Sequence, residues 1–237
     1  MLLPKKHILE MPLFSSTIPY LKISLNGDIR SYFKNLGLTN GKCENGNTSN
    51  ALMTKILLDY DIQRYNFHDW ARNVLGTKEL ENAHCSRNIK NLNRSPTVNQ
   101  LAESFSDVSE IYHSLISDFL SEIYGEISTY QSPPSFRFHY IGLGCSIFHS
   151  DRDFGVEQGR MNVWVPLTDV WGSNSLWIES EEGAGDYAPV SMHLGQALIF
   201  DGVNIGHGSK INTTSASRIS FDFRFEPGPG PATPTSY

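Results

Sequence analysis

Residues 220–225 read Ser-Phe-Asp-Phe-Arg-Phe, a strict alternation of polar and aromatic side chains. A period of two places successive side chains on opposite faces of an extended strand. Arg218 and Ile219 extend the pattern backwards, so Arg218, Ser220, Asp222 and Arg224 share one face. Phe136-Arg137-Phe138-His139-Tyr140 alternates in the same way. From Pro134 onward, short runs of this kind are separated by Gly, Asn and Asp. Many short strands punctuated by turn residues indicate a sandwich or barrel.

The first half has a different texture. One strand is expected over residues 21–25, and Asp28, after the Asn26-Gly27 turn, suits a helix cap. Residues 47–130 are helical in character. The strongest helix starts near Asp107, three positions before Glu110 in a capping-box arrangement. Its stripe of Val108, Ile111, Tyr112, Leu115, Ile116, Phe119, Leu120 and Ile123 has helical spacing and suits packing on a sheet. A second helix is expected over about residues 51–65, with Leu52, Ile56, Leu57 and Tyr60 on one face. No internal repeat is visible. Residues 227–237, rich in Pro and Gly, read as a loosely packed tail.

The chemistry-bearing residues lie in the strand-rich half. His149-Ser150-Asp151 is followed by His207 and then by Arg218-Ile219-Ser220. In an extended segment His149 and Asp151 share a face and can reach one ion. Asp153 is the competing carboxylate, although it stands where the strand should be ending, beside Phe154-Gly155. Two histidines and one carboxylate hold non-haem Fe(II) on one side and leave three positions open. Arginine's planar fork can clamp a carboxylate through two bonds, with the Ser220 hydroxyl as a further donor. An isolated H-x-D is more often a surface turn than a metal site. The ordered set carries the reading.

Residues 136–225 resemble the catalytic core of the Fe(II)/2-oxoglutarate-dependent oxygenases. Within that superfamily they most resemble the streptomycin biosynthesis oxygenase-like family. The matching stretches are FRFHYIGLG, FHSDRDFG, GRMNVWVPLTDVWGSNSLWIES, GDYAPV, HLGQALIFDG, GHGSKIN and SRISFDFRF. The resemblance implies a mainly β fold with packed helices, its core a distorted double-stranded β-helix (a cupin-like jelly roll). Length and texture give one domain over 1–226 with a mixed helical part to 130, and the resemblance makes 131–226 the catalytic jelly-roll core of an oxygenase. His149, Asp151 and His207 would hold Fe(II), and Arg218 and Ser220 the far carboxylate of 2-oxoglutarate. O2 would complete the reaction, oxidising an unactivated C–H bond of a small molecule, an amino acid derivative or aminocyclitol in natural-product biosynthesis.

Further positions follow with less force. Asn162 is a polar residue in an apolar strand, able to donate to the co-substrate or to backbone. Tyr140 offers a hydroxyl to the co-substrate. Arg137, Arg160, Asn174, Trp177 and Tyr187 are candidates for the substrate side, Trp177 equally for the core. His139 and His193 read as hydrogen-bonded strand residues.

Composition narrows the alternatives. A chain of 237 residues, 39% apolar, can bury a core as one domain. A net charge of −6 with scattered Lys and Arg disfavours a nucleic-acid groove. No apolar run approaches the ~18 residues of a membrane span. Cys43, Cys85 and Cys145 are irregularly spaced and imply neither a disulfide framework nor a zinc site. Cys145 is expected in the core. The N-terminal sequence lacks the apolar region of a signal peptide, so a cytoplasmic protein is expected. Two rival classes share the barrel: a cupin-type metal enzyme without 2-oxoglutarate, which needs no Arg218-x-Ser220, and a non-catalytic ligand-binding jelly roll, which needs no triad.

Overall fold

The computed structural model describes residues 55–86 and 96–236, together with three short strands before them. Those are β1 (Leu21–Ile23), β2 (Leu38–Thr39) and β3 (Lys42–Cys43). Then follow β4 (Lys55–Asp59), β5 (Ile127–Gln131), β6 (Ser135–His139) and β7 (Met161–Pro166). Last come β8 (Trp177–Ile178), β9 (Ala188–Pro189), β10 (Gln196–Phe200), β11 (His207–Gly208), β12 (Arg218–Pro227) and β13 (Thr233–Thr235).

An eight-stranded sheet runs β1-β4-β10-β7-β12-β5-β13, with β6 paired to β12 beside β5. A smaller sheet, β11-β8-β9, faces it. Helices cover the opposite face of the large sheet, giving the expected jelly roll with an outer helical layer. Two apolar cores follow from this layering. Ile56, Leu58, Val163, Val165, Ala197, Ile199, Ile219, Phe221, Phe223 and Phe225 pack on the helix side. Leu57, Trp164, Leu198 and Phe200 point between the sheets, against Ile178, Val190 and Met192.

The alternation in β12 therefore has a structural meaning. Its aromatic residues lie under the helices, where Phe67 meets Phe221 at 5.0 Å, Tyr112 meets Phe223 at 5.2 Å and Tyr124 meets Phe225 at 5.0 Å between ring centroids. Its polar residues look into the space between the sheets. Phe223→Ala is expected to destabilise the fold by about 3–5 kcal/mol, the usual cost of emptying a large aromatic site. Urea titration measures this, and a loss below about 1 kcal/mol would contradict the assigned packing.

The helical stripe after Asp107 is buried as expected: Val108, Tyr112, Leu115, Ile116, Phe119, Leu120 and Ile123. The segment is less regular than its periodicity suggests. A 3-10 turn (Phe105–Val108) leads into an α-helical piece (Ser109–Ser114), a π-helical turn (Leu115–Leu120) and a last α-turn (Ser121–Tyr124). No side-chain cap forms at its start, so the Asp107–Glu110 capping box is not realised.

Other expectations change. The helix expected over residues 51–65 is not formed, because Lys55–Asp59 is a strand between β1 and β10. Ile56, Leu57 and Leu58 form an unbroken apolar run that is buried on both faces, and such a run carries no strand periodicity. The tail is also not loose: β12 runs on to Pro227, and β13 pairs in parallel with β5. Cys145 is half-buried rather than deep in the core. Strand β1 matches the sequence expectation over Leu21–Ile23, whereas Asp28 lies outside the described residues. Among the described residues, no helix is long and apolar enough to cross a membrane.

Candidate metal centre

Two histidines are set side by side by backbone pairing. His149 and His207 exchange both backbone hydrogen bonds across an antiparallel bridge, at 2.9 and 2.8 Å. Directly opposed residues project to the same face of a sheet, and the two imidazole centroids stand 4.5 Å apart. Each ring is oriented from behind. Nδ1–H of His149 donates to the Ile147 carbonyl at 2.8 Å, and Nδ1–H of His207 to that of Ile205 at 3.0 Å. This arrangement turns both Nε2 lone pairs forward, as a metal requires.

Asp151 completes the group. The chain stays extended through Ser150 and then turns into a 3-10 helix, Asp151–Phe154, that ends at Gly155 in the left-handed region. The Ser150 N–H and hydroxyl both donate to the Asp153 carboxylate at 2.9 Å. Asp153 is thus used in capping this turn and is exposed, which leaves Asp151 as the carboxylate of the site. Oδ1 of Asp151 lies 3.6 Å from His149 Nε2 and 3.7 Å from His207 Nε2. Ligand atoms of the three residues all lie within 4.8 Å of one another. Asp151 is 1% exposed, and its Oδ1 has no hydrogen-bond partner.

The electrostatics suit a cation. Burial opposes ionisation of Asp151, but the His149 ring and the Arg224 guanidinium overcome it and hold the carboxyl well below the usual carboxylate range. Burial pulls the His207 imidazole down toward its neutral, ligating form. In the metal-free protein the Asp151 carboxylate raises the His149 pKa, so a divalent ion would take the place of a proton between them. An orphaned carboxylate oxygen facing two imidazole Nε2 atoms fits such an ion with nitrogen and oxygen ligands.

Arg218 and Ser220 lie on the polar face of β12, the face that also carries Arg224. Arg218 is 2% exposed; its Nη1 donates to the Asn174 carbonyl at 3.3 Å and its Nε has no partner. The guanidinium sits 5.4 Å from the Trp164 ring centre. Among the described residues, none of the carboxylates forms an ion pair with it. The Ser220 hydroxyl is also buried without a partner.

The remaining candidates divide. Asn162 is drawn into the metal centre: its Nδ2 donates to Asp151 Oδ2 at 2.8 Å. Tyr140 groups instead with Phe138 in the helix-side core, at 5.7 Å between rings, and its hydroxyl is unpartnered. Arg137 lies on β6 and is engaged by Asp222 through Nε at 2.9 Å and Nη2 at 3.4 Å. Arg160 pairs with Glu157 at 3.6 Å. Asn174 is buried, its side-chain oxygen accepting the Trp171 N–H at 2.7 Å and its Nδ2 unpartnered. Trp177 is held structurally, donating to the Gly172 carbonyl at 3.1 Å under the Lys210 ammonium. Tyr187 packs on Phe148 at 4.4 Å between rings. His139 is a buried strand residue as expected, with Nε2 2.9 Å from the Leu143 carbonyl; burial and then Arg218 push its pKa down to about 4. His193 departs from expectation: it is exposed in a turn, 3.6 Å from Asp169.

Three features were not found from sequence. Arg224 donates from Nε to Asp151 Oδ2 at 2.7 Å; the alternation had placed it on the right face without suggesting a role. Phe154 and Phe148, 65% and 38% exposed, flank the ligands, with the Phe154 ring centre 5.0 Å from that of His149. Glu179 is a buried carboxylate that accepts backbone N–H bonds from Gly206 at 2.6 Å and from Gly183 and Gly185 at 3.0 Å. It thereby ties the 180–186 loop to the residue before His207. Lys55, buried in β4, donates to the carbonyls of Glu179 and Ser180 from the other side. A Cβ at Gly206 would lie 2.5 Å from the Tyr187 hydroxyl oxygen and 2.9 Å from Glu179 Oε1, so a larger residue there would displace both side chains. Glu179 touches no ligand directly and acts through the backbone next to His207, so Glu179→Ala is expected to weaken metal binding by about tenfold, the low end of the range for direct outer partners. Titration with Co(II) measures this, and unchanged affinity would make Glu179 a loop anchor alone.

No family model matches the chain. The streptomycin biosynthesis protein StrG of Streptomyces griseus is 33% identical over 174 residues, covering 72% of this chain and 83% of StrG. Among solved structures, apo EctD from S. alaskensis superposes with a TM-score of 0.51 at 17% identity, covering 73% of this chain and 72% of EctD. A nickel complex of the non-haem monooxygenase ThoJ gives a TM-score of 0.47 at 17% identity over 71% of each chain. The jelly-roll fold is shared with EctD, and by its identity and coverage the chain belongs to the family of the streptomycin biosynthesis protein StrG.

Proposed function

We propose that this protein is an Fe(II)- and 2-oxoglutarate-dependent oxygenase that oxidises an unactivated C–H bond of a small, polar, amine-bearing metabolite. The observation that carries the reading is Arg218. A fully buried guanidinium without an anion is costly, and here it lies beside the unpartnered Ser220 hydroxyl on the polar face of β12. A dicarboxylate co-substrate supplies the missing anion and leaves its other end for the metal.

Each group then has a task. His149, Asp151 and His207 would hold Fe(II) on one side; with 2-oxoglutarate and O2 bound, iron of this kind supplies the oxidising power that no side chain has. Arg218 and Ser220 fix the far carboxylate and so set the co-substrate's direction. Phe148, Phe154 and Tyr187 form an aromatic rim beside the ligands, suited to shedding water and packing against the carbon skeleton of a substrate.

The substrate class rests on the kinship. The name of the Streptomyces griseus relative ties that protein to streptomycin biosynthesis, and tailoring of an amino acid derivative or aminocyclitol is the role we assign here. A screen of small amine-bearing metabolites with Fe(II), 2-oxoglutarate and O2, read by mass for an added oxygen, tests the assignment. Products are expected from that class. Efficient oxidation of a nucleobase or a long-chain lipid, with no turnover of small amines, would overturn it.

A further inference from the structure

The two oxygens of Asp151 face different surroundings. Oδ1 is turned to the two Nε2 atoms and is otherwise unpartnered. Oδ2 accepts Nε–H of Arg224 at 2.7 Å and Nδ2–H of Asn162 at 2.8 Å. Those donors come from one cross-strand pair: Arg224 of β12 stands directly opposite Asn162 of β7. The backbone is arranged around the same point. Gly202 accepts the Asp151 N–H at 2.8 Å, and a Cβ on Gly202 would lie 2.5 Å from Asn162 Nδ2. Glycine at 202 thus leaves the amide the space it occupies against the carboxylate.

A carboxylate can bind a metal ion through one oxygen or through both. The difference matters here, because two histidines and a one-oxygen carboxylate leave three positions open, and a two-oxygen carboxylate removes one of them. For Asp151 to bind through both oxygens, Oδ2 would have to leave a charge-assisted bond and an amide bond. That would also bring the Arg224 guanidinium toward a cation.

We propose that Arg224 and Asn162 are positioning residues that hold Asp151 as a one-oxygen ligand and so keep open the coordination position that a two-toothed co-substrate needs. The proposal deepens the oxygenase reading and rests on it for the identity of the co-substrate. The denticity of Asp151 itself concerns only this chain and a divalent ion.

Co(II) serves as the probe, with the wild type, Arg224→Met, Arg224→Lys and Asn162→Leu compared. Three quantities are measured: Co(II) affinity without co-substrate, 2-oxoglutarate affinity of the Co(II)-loaded protein, and the separation of the carboxylate stretches in isotope-edited infrared difference spectra upon Co(II) binding. In Arg224→Met, Co(II) affinity is expected to be equal to or above wild type. Its 2-oxoglutarate affinity should fall about tenfold, the equivalent of one hydrogen bond to a charged group, and the carboxylate separation should narrow. Arg224→Lys, which keeps one charged donor, should recover part of both changes. Asn162→Leu should shift in the same direction, and it keeps the test open if Arg224→Met does not fold.

Wild-type separation and wild-type 2-oxoglutarate affinity in both Arg224→Met and Asn162→Leu would overturn the proposal. So would a joint fall in metal and co-substrate affinity with an unchanged infrared signature, which marks general damage. A wild type that binds no Co(II) would overturn the metal centre and the proposal with it. A wild type that binds Co(II) but no 2-oxoglutarate would overturn the co-substrate reading, while the infrared comparison would still decide for or against one-oxygen ligation.

Discussion

Replacing His207 with alanine is expected to abolish metal-dependent turnover while leaving the fold in place. The residue supplies one of three ligands, so the loss in metal affinity should exceed the about 10–100-fold cost of removing an outer partner. The backbone bonds that His207 exchanges with His149 do not involve its ring, and alanine can form them equally well. Metal titration and thermal melting of the metal-free protein therefore give opposite answers: affinity collapses and melting hardly moves. Near-normal metal affinity in His207→Ala would remove it from the ligand set.

Arg218→Ala should act chiefly on the co-substrate. Hydrogen bonds to a charged group contribute ~1.5–3 kcal/mol, so the Michaelis constant for 2-oxoglutarate is expected to rise about ten- to a hundredfold, and that of the primary substrate much less. Stability offers a second readout. Because Arg218 is buried without an anionic partner among the described residues, its removal relieves an uncompensated charge. Arg218→Met, which keeps much of the volume, should melt at or above the wild-type temperature in the absence of co-substrate. A structural arginine would show the reverse, with lost stability and an unchanged dependence on 2-oxoglutarate.

The site was more legible in the sequence than the sheet that carries it. The polar face of β12 interrupts what would otherwise be a buried apolar strand, and that interruption is what made Arg218 and Ser220 visible. In β4 both faces are covered, so Ile56, Leu57 and Leu58 form a continuous run that helical spacing fits equally well. Asp151 and Asp153 could be separated only by position in the sequence; the cap formed with Ser150 decides between them physically. Glu179 left no signal, because a carboxylate bound by backbone N–H groups of glycines has no periodicity to announce it. Arg224 was placed on the right face, but its partner Asp151 lies on a separate segment of the chain, and only the closed fold joins them.

On the oxygenase reading, one space between the two sheets holds both a divalent metal and 2-oxoglutarate. The most direct measurement of it is O2-dependent release of succinate from 2-oxoglutarate by the Fe(II)-loaded wild type, with Arg218→Ala and His207→Ala alongside. Succinate is expected from the wild type only when Fe(II) and O2 are both present, sharply reduced at limiting 2-oxoglutarate in Arg218→Ala and absent in His207→Ala. Metal binding by the wild type without any succinate, across a panel of small amine-bearing substrates, would contradict it and favour a metal enzyme that uses no 2-oxoglutarate.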